Sequence, residues 1–403
     1  METLSDDEFS KTFAYRVTAQ ADYGRAHCGI IETPHGVVET PNFVFCGTHG
    51  AIKGATMEQI KAVGAQIVLG NTYHLWLQPG PDIVKLNGGL HAFTGWDGPM
   101  LTDSGGFQIF SMGYGGVIDE IKGKSRPNAI RTLLKITEDG AMFRSYVNGR
   151  MCMLTPERSV EIQQALGADF ILPLDECAPT HRTRSEIVAS TQLSHRWEER
   201  SLKQFLDHFD DRQRMYGIIQ GGIYEDLRTE SIDFIKSHPF FGQAIGGSLG
   251  VEKQEMYGLV DYIMQQVPVD RPTHLLGIGG LRDLLEGVNS GVDTFDCVHP
   301  TRIARHGCAL IARPEEAVAK EHINLKNACY AEDVNPIDSA CDCYTCRRFT
   351  RSYVHHLFKA RESTGGLLLT IHNARFMMRW MEAIRQAIRS GQWKAFYQHH
   401  IHS

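Results

Sequence analysis

The sequence predicts an α/β fold of the (β/α)8 TIM-barrel type, and two features of its apolar pattern support this. Eight short apolar runs recur along the 403 residues, several of them closing on glycine or aspartate. Stretches with helical spacing of apolar residues lie between the runs, so that strands and helices alternate. Near-continuous apolar strands are typical of a parallel sheet that is covered by helices. Eight such units favour a closed barrel.

The predicted elements can be placed by residue number. The strands are residues 42–46, 66–70, 99–103, 169–175, 215–220, 242–246, 273–278 and 291–297. The clearest helices are residues 155–166, 184–209, 225–236 and 281–290. A doubly wound open sheet is the competing fold, but no glycine-rich dinucleotide loop follows the first strand.

Two segments interrupt the alternation within what we expect to be a single barrel domain over residues 1–403. Residues 118–140 are polar, basic in their middle and contain Pro127, which indicates an inserted loop or a mobile active-site loop. Residues 324–373 carry a cluster of cysteines, and we expect them to form a metal-binding subdomain.

Composition and charge limit the possible classes of protein. The chain is 42% hydrophobic and 22% charged, as in ordinary globular proteins, and its formal net charge is −6. That charge gives no sign of a basic RNA-binding face, so any contact with RNA must come from local patches. No apolar stretch approaches the roughly 20 residues of a membrane-spanning helix. The start of the chain, METLSDDEFSK, is acidic, unlike a secretion signal. We therefore expect a cytoplasmic protein.

Three aspartates close predicted strands, at the end of a barrel where reactive groups collect. Asp103 ends PMLTD, Asp175 ends FILPLD and Asp296 ends GVDTFD. Any one of them could simply cap the next helix. Their occurrence together, with Gln220 and Gly246-Gly247 at other strand ends, favours a functional site.

Paired carboxylates suit chemistry at a sugar carbon. One can attack the anomeric carbon as its bond to a leaving group breaks, while the other handles protons. Asp296 and Asp103 could divide these roles. Asp175, Gln220 and backbone amides near Gly247 could bind the donor-rich edge of a purine-like base. By pattern alone, enzymes of phosphate or sugar metabolism would fit nearly as well.

A second candidate site binds metal rather than substrate. Cys341, Cys343 and Cys346 place three thiolates within six residues, and tetrahedral zinc needs a fourth ligand. His372 is the candidate for that ligand, and His355 or His356 is the alternative. With four protein ligands, no coordination position stays open, so we expect structural rather than catalytic zinc.

Eight motifs together resemble one family, the tRNA-guanine transglycosylases, over almost the whole chain. They are LGNTYHL (69–75), LTDSGGFQ (101–108), LTPERS (154–159), LDEC (174–177), IQGG (219–222), GIGG (277–280), DTFDCVHPTR (293–302) and CxCxxC with a distant histidine. The resemblance implies a barrel with an inserted zinc subdomain and, in bacteria, a homodimer. It also implies exchange of guanine 34 in tRNAs that carry a GUN anticodon, as a step of queuosine modification.

The resemblance further implies roles for individual residues. Asp296 would be the nucleophile that forms a ribosyl-aspartate link, and Asp103 would act in base binding and proton transfer. The base pocket would comprise Ser104, Gly105, Gly106, Phe107, Asp175, Cys177, Gln220, Gly246, Gly247 and Ser248. Within it, Phe107 would stack on the base where many relatives carry tyrosine. The RNA contacts would be Gly277, Thr301, Arg302 and Arg305.

One departure from the family pattern bears on the incoming base. Many bacterial members have LAVGE after the paired glycines, whereas this chain has SLGVE at residues 248–252. Gly250 stands close to the place of a valine and would give a roomier pocket wall. We therefore expect the incoming base to be queuine rather than its aminomethyl precursor preQ1. The same segment and the 118–140 insertion look most like the chlamydial type of the enzyme.

The sequence is also compatible with three other functions. The chain could be a non-catalytic partner of the same family, although such a chain should have lost its strand-end carboxylates. It could be a barrel hydrolase or isomerase acting on small sugars or nucleosides. It could also be an archaeal-type relative that modifies the D-arm, although those chains usually carry an added RNA-binding domain. Base exchange needs no redox or nucleotide cofactor.

Overall fold

The computed structural model describes residues 13–114, 133–179, 181–247, 249–250, 252–311 and 321–401. Strands in these ranges form four separate sheets. In chain order they are β1 (Ala14–Gln20), β2 (His27–Thr33), β3 (Gly36–Thr40), β4 (Asn42–Gly47), β5 (Val68–Gly70), β6 (Met100–Thr102), β7 (Leu133–Thr137), β8 (Gly140–Arg144), β9 (Met151–Leu154), β10 (Phe170–Ile171), β11 (Arg214–Ile219), β12 (Gly242–Ile245), β13 (Thr273–Leu275), β14 (Thr294–Asp296), β15 (Cys308–Leu310) and β16 (His322–Asn324).

Helices follow most of the strands. They are α1 (Met57–Ala62), α2 (Thr72–Leu77), α3 (Pro81–Leu86), α4 (Gly89–Thr94), α5 (Gly106–Tyr114), α6 (Pro156–Leu166), α7 (Arg184–Asp207), α8 (Glu225–Lys236), α9 (Lys253–Met264), α10 (Leu281–Ser290), α11 (His299–Arg305), α12 (Tyr344–Arg348), α13 (Arg351–Lys359), α14 (Ser363–Arg389) and α15 (Trp393–Ile401), with a 3₁₀ turn at Ala328–Tyr330. Among the helices of the described ranges, none is long and apolar enough to cross a membrane.

The predicted barrel fold is confirmed. Strands β4, β5, β6, β10, β11, β12, β13 and β14 pair in that order and close into one barrel, and every pairing that defines it is parallel. All eight predicted strands are present, and helices α8 and α10 have the predicted bounds. The open-sheet alternative is therefore wrong.

One barrel strand is much shorter than the sequence predicts. Strand β10 covers two residues where a run over 169–175 was expected. The backbone beyond it bonds to side chains of neighbouring helices instead of to strands. Gln163 bonds both the N–H and the carbonyl of Leu172, and Ser201 Oγ accepts from the N–H of Leu174. These bonds satisfy the buried backbone while releasing it from the sheet, which brings Asp175 over the barrel end.

An antiparallel sheet of β1, β2 and β3 closes the amino-terminal end of the barrel. None of its three strands is among those predicted from the sequence. Phe13 packs edge-on against Phe170, and the Arg214 guanidinium lies 4.4 Å from the centre of the Phe13 ring. The Tyr15 hydroxyl donates to Asp293 over 2.7 Å. Since this end of the barrel is filled, an active site is left to the carboxyl end.

A second antiparallel sheet, β7–β8–β9, lies in the chain between barrel strands β6 and β10. Its first strand, Leu133–Thr137, belongs to the segment 118–140 that was singled out as an insertion. Residues 118–132 of that segment lie outside the described ranges, so the predicted loop stays a prediction.

The carboxyl-terminal region is organised by α14, which packs against α11, α12, α13 and strand β15. Its inward face buries Leu368, Ile371, Met377 and Met381, among others. Residues 324–373, predicted as a metal-binding subdomain, contain α12, α13 and the first turns of α14. The helix continues to Arg389, so the predicted boundary at residue 373 falls inside α14.

Candidate active site and metal centre

The predicted catalytic and base-binding residues lie at the carboxyl ends of neighbouring barrel strands. Asp103 follows β6 directly, Gln220 follows β11 and Gly246 follows β12, while Asp296 is the last residue of β14. Parallel strands of a barrel end on the same side, so these residues share one end of it. The structure thus brings together groups that are separated by nearly two hundred residues in the sequence.

Asp103 is held by donors from the loop after β5. The backbone N–H of Thr72 donates to its Oδ1 over 2.8 Å, and the Asn71 side-chain amide donates to its Oδ2. Burial, assisted by the nearby charge of Asp296, outweighs the hydrogen bonds and raises the pKa of Asp103 to about 7. A carboxyl group with this pKa can both give and accept a proton near neutral pH.

Asp175 forms a second buried acidic centre with Gln220 and Ser104. The Gln220 amide donates to Asp175 Oδ2 over 2.5 Å, and Ser104 Oγ lies 3.5 Å from Oδ1. Burial raises the pKa of Asp175 to about 6, although the bond from Gln220 opposes the rise. Gly247 adopts a φ of +74°, and a Cβ there would lie 2.3 Å from Gln220 Oε1. Glycine therefore leaves this side of the pocket open.

Asp296 is bonded at both carboxylate oxygens. The N–H of Gly277 donates to Oδ1 over 2.8 Å, and the Cys46 thiol lies 3.4 Å from Oδ2. His274 Nε2 lies 3.3 Å from Oδ1. Gly277, which the sequence predicts as an RNA contact, therefore also orients the Asp296 carboxylate through its backbone N–H.

Several residues that support the site were missed by sequence reasoning. Arg228 is fully buried, and its guanidinium donates to the carbonyls of Ile219, Gly222 and Gly246 over 2.7–2.8 Å. It therefore ties together the ends of β11 and β12, which carry the base-pocket residues. His274 and Cys46 lie within strands, and no sequence motif distinguishes them from the other residues of those strands. Asn71 directly follows a predicted strand, and this position was the one available signal for it.

The remaining predicted residues border the site. Phe107 begins α5 and is 45% exposed, as a ring that stacks on an incoming base would be. Arg302 is exposed on α11, and Arg305 Nη1 donates to the carbonyl of the buried Thr301 over 2.9 Å. Cys177 is partly buried. Gly105 and Gly106 form the turn from Asp103 into α5, and Ser248 lies outside the described residues.

Replacing Asp103 with asparagine is expected to stabilise the protein at alkaline pH. The folded-state pKa of Asp103 is about 7 against an ordinary 3.8, so ionisation opposes folding increasingly as the pH rises between these values and fully above 7. Chemical denaturation should show that Asp103→Asn gains on the order of 3 kcal/mol relative to wild type between pH 4 and pH 8. The exposed Asp82→Asn control should show no such dependence, and a pH-independent difference for Asp103→Asn would contradict the burial argument.

The metal centre has the predicted composition. The ligand atoms of Cys341, Cys343, Cys346 and His372 all lie within 4.8 Å of one another. His372 Nε2 lies 2.8 Å from the carbonyl oxygen of Leu310, so it carries the proton and Nδ1 is free to bind metal. His355 points elsewhere and bonds the carbonyl of Leu325. Of the histidines considered, His372 is therefore the one in the cluster.

The spacing of the four groups fits a metal ion. His372 Nδ1 lies 3.3 Å from Cys346 Sγ and 3.9 Å from Cys343 Sγ. Tetrahedral zinc, with bonds of about 2.3 Å to sulfur and about 2.0 Å to nitrogen, needs ligand atoms about 3.5 Å apart. The cluster could hold such an ion without rearrangement of the helices that carry it.

Comparisons with known proteins agree with this geometry. The family whose sequence model is described as queuine tRNA-ribosyltransferase matches residues 22–403. That match includes the strand-end carboxylates and the four candidate metal ligands.

Individual relatives are similar over nearly their full length. A queuine tRNA-ribosyltransferase of Roseiflexus is 46% identical over 392 residues, which are 94% of this chain and 97% of the relative. That of Thermoanaerobacter pseudethanolicus is 44% identical, over 93% of each chain. That of Protochlamydia amoebophila is 43% identical, over 95% of this chain and 97% of the relative.

Proposed function

This chain belongs to the queuine tRNA-ribosyltransferase family, and from that premise we propose that it exchanges guanine 34 of GUN-anticodon tRNAs for a 7-deazaguanine through a covalent aspartyl-ribosyl intermediate. It is a tRNA-guanine transglycosylase, a pentosyltransferase of queuosine modification. The observation that carries the mechanism is the pair Asp103 and Asp296, two carboxylates at one barrel end of which the first has a pKa of about 7.

In the first half of the reaction, Asp296 attacks the ribose. A carboxylate oxygen forms a bond to C1′ while the C1′–N9 bond breaks, and the bonding electrons leave with the guanine. Asp103, whose pKa of about 7 allows it to carry a proton near neutral pH, donates that proton to the departing base. Guanine thus leaves as a neutral molecule, and the ribose stays linked to Asp296.

The second half runs the same steps in reverse with another base. The ionised Asp103 takes the proton from the incoming 7-deazaguanine, whose ring nitrogen attacks C1′ and displaces the Asp296 carboxylate. No proton or electron is gained or lost over the cycle. Because one glycosidic bond replaces another, the exchange requires no energy-rich cofactor.

The base is recognised by the second acidic centre. The Asp175 carboxylate accepts from the N1–H and exocyclic amine of a guanine-like base, and the Gln220 amide that orients Asp175 also reaches the base carbonyl. Phe107 covers the ring at the open side. This pocket requires that the nucleotide leave its stack, which costs less in an anticodon loop than in a duplex.

The pocket wall near Gly250 favours queuine as the incoming base. Gly250 has a φ of +105°, and a Cβ there would lie 2.2 Å from Glu255 Oε2. A valine at this place would therefore displace the Glu255 carboxylate and fill space. The preference for queuine therefore rests on the absence of a side chain at Gly250, where many bacterial members of the family carry a valine.

The tRNA and a second subunit complete the assembly. Arg302 and Arg305 on α11 supply a local basic patch for the anticodon loop, despite the net charge of −6. A homodimer is supported by the exposed aromatic side chains Tyr344 and Tyr353, which lie on either side of Phe349 beside the metal centre. A tRNA substrate agrees with a cytoplasmic location.

Zinc is the metal that best suits the cluster of three cysteines and one histidine. It would be bound by Cys341, Cys343, Cys346 and His372, and all four positions would be filled by protein. The ion would then stabilise the carboxyl-terminal region and take no part in base exchange.

Base exchange on defined tRNAs tests this function. A tRNA with a GUN anticodon should release labelled guanine when a 7-deazaguanine is added, whereas the same tRNA with adenine at position 34 should not. Supplied separately, queuine should be turned over faster than preQ1. Equal turnover of both bases, or use of preQ1 alone, would contradict the preference for queuine. Absence of exchange with every base would favour the non-catalytic partner or the small-sugar barrel.

A further inference from the structure

His274 is a buried histidine in the site with no role assigned so far. It lies on β13 with 1% of its surface exposed. Its Nδ1 lies 2.9 Å from Thr294 Oγ1, and its Nε2 lies 3.3 Å from Asp296 Oδ1. Among the described residues, no group completes a well-aligned hydrogen bond with Nε2. A buried polar atom of this kind needs a partner, and the Asp296 carboxylate is the one within reach.

The barrel register explains this placement. His274 is paired with Thr294 of the adjacent strand β14. Side chains two residues apart on a strand lie on the same face, so Thr294 and Asp296 project on one side of β14. The imidazole therefore extends along that face from Thr294 towards Asp296, with one ring nitrogen for each.

The two neighbours also determine which nitrogen carries the proton. The Thr294 hydroxyl can donate to Nδ1, whereas the Asp296 carboxylate can only accept when ionised. The neutral ring is therefore protonated at Nε2 and aims that N–H at Oδ1. Hydrogen bonds of catalytic groups are often long in the free enzyme and shorten when substrate binds.

We propose that His274 is a positioning residue that fixes Asp296 through Oδ1, so that Oδ2 is the oxygen that attacks the ribose. Oδ1 receives the N–H of Gly277 over 2.8 Å in addition to His274. Among the residues that the structure describes, Oδ2 receives only the Cys46 thiol, at 3.4 Å. A thiol is a weak donor, so Oδ2 keeps a lone pair for C1′. His274 itself transfers no proton.

This inference rests on the proposed function, since it presupposes that Asp296 is the nucleophile. The two carboxylate oxygens of Asp296 are chemically equal, and their different surroundings explain why Oδ2 rather than Oδ1 would attack. With the Gly277 N–H bonded to Oδ1 and Nε2 of His274 placed 3.3 Å from the same oxygen, rotation of the carboxylate is restricted, and the attacking atom is presented in one direction. Such preorganisation lowers the barrier without changing how tightly tRNA binds.

Two polar substitutions that differ in reach test the proposal. The amide nitrogen of His274→Gln can take the place of Nε2 and still bond Asp296, whereas the shorter His274→Asn can bond only Thr294. We expect His274→Gln to keep kcat for guanine exchange within about 3-fold of wild type. His274→Asn should lower kcat about 10–100-fold, as expected for loss of a hydrogen bond to a charged group. KM for tRNA should stay within about 2-fold for both.

The outcomes separate this inference from the function on which it rests. Equal kcat values for the Gln and Asn variants, whether both high or both low, would overturn the positioning role. A rise in KM without loss of kcat would also overturn it. Asp296→Ala is measured alongside, and exchange that survives in that variant would overturn the nucleophile assignment itself. An inactive Asp296→Ala with a fully active His274→Asn would overturn the role of His274 alone.

Discussion

Asp296→Ala should lower the rate of guanine exchange into tRNA by about 10⁴-fold or more, the scale seen when a covalent nucleophile is removed. Alanine leaves no group that can bond C1′, so the two-step displacement has no intermediate. The folded state should be preserved, because Gly277 is exposed and Cys46 is partly exposed, so water can replace the lost carboxylate as their partner. Exchange of labelled guanine, measured at saturating tRNA, gives the comparison directly.

The controls for this prediction distinguish loss of the carboxylate from loss of side-chain shape and from loss of any aspartate of the chain. Asp296→Asn keeps the shape and can still accept from Gly277, yet it should be as inactive as the alanine variant. Asp82→Ala removes an exposed aspartate on α3 and should leave the rate unchanged. An Asp296→Asn variant with a rate within 10-fold of wild type would show that the reaction needs neither the negative charge nor the nucleophilic oxygen of Asp296.

Cys343→Ala is expected to abolish metal binding at the cluster and to destabilise the carboxyl-terminal region strongly. Cys343 is a candidate metal ligand, and it also caps α12, since its Sγ accepts the N–H of Cys346. His372, the ligand from α14, lies on a helix that packs against α11 and β15. Structural zinc contributes on the order of 10 kcal/mol to the folding of small domains. Loss of one ligand should therefore lower the thermal midpoint by many degrees.

Metal content and unfolding measured on the same samples test this prediction. Wild type should carry one zinc per chain, Cys343→Ala should carry almost none, and a strong chelator should reproduce the variant. Cys329→Ala, which removes an exposed thiol outside the cluster, should keep both metal and stability. A Cys343→Ala protein with an unchanged thermal midpoint would mean that the cluster does not stabilise the fold.

The barrel was predictable because its signals are local. A barrel strand such as Arg214–Ile219 is buried on both faces, so its sequence is an almost continuous apolar run. A surrounding helix such as Glu225–Lys236 is buried on one face, so its apolar residues recur at helical spacing. The acids that end these runs were visible for the same reason, since a charged residue after a buried strand stands out. The spacing of Cys341, Cys343 and Cys346 is equally local. The fourth ligand then had to be chosen between His372 and the pair His355 and His356.

The rest depends on contacts between distant residues. The sheet of β1, β2 and β3 alternates in burial and is stabilised by partners such as Asp293, far along the chain from Tyr15. Strand β10 ends early because Gln163 and Ser201 bond the following backbone. His274 and Arg228 take their places in the site from barrel register and packing. Sequence spacing contains no information about such pairs.

Isolation of the covalent enzyme–tRNA adduct tests the central claim most directly. Enzyme and GUN-anticodon tRNA would be mixed without an added base, quenched with acid, digested and analysed by mass spectrometry. We predict a ribose-linked nucleotide that lacks its base, attached to the peptide that contains Asp296 and absent from the Asp296→Asn variant. An adduct located on Asp103, or rapid exchange with no adduct at any time after mixing, would contradict the account.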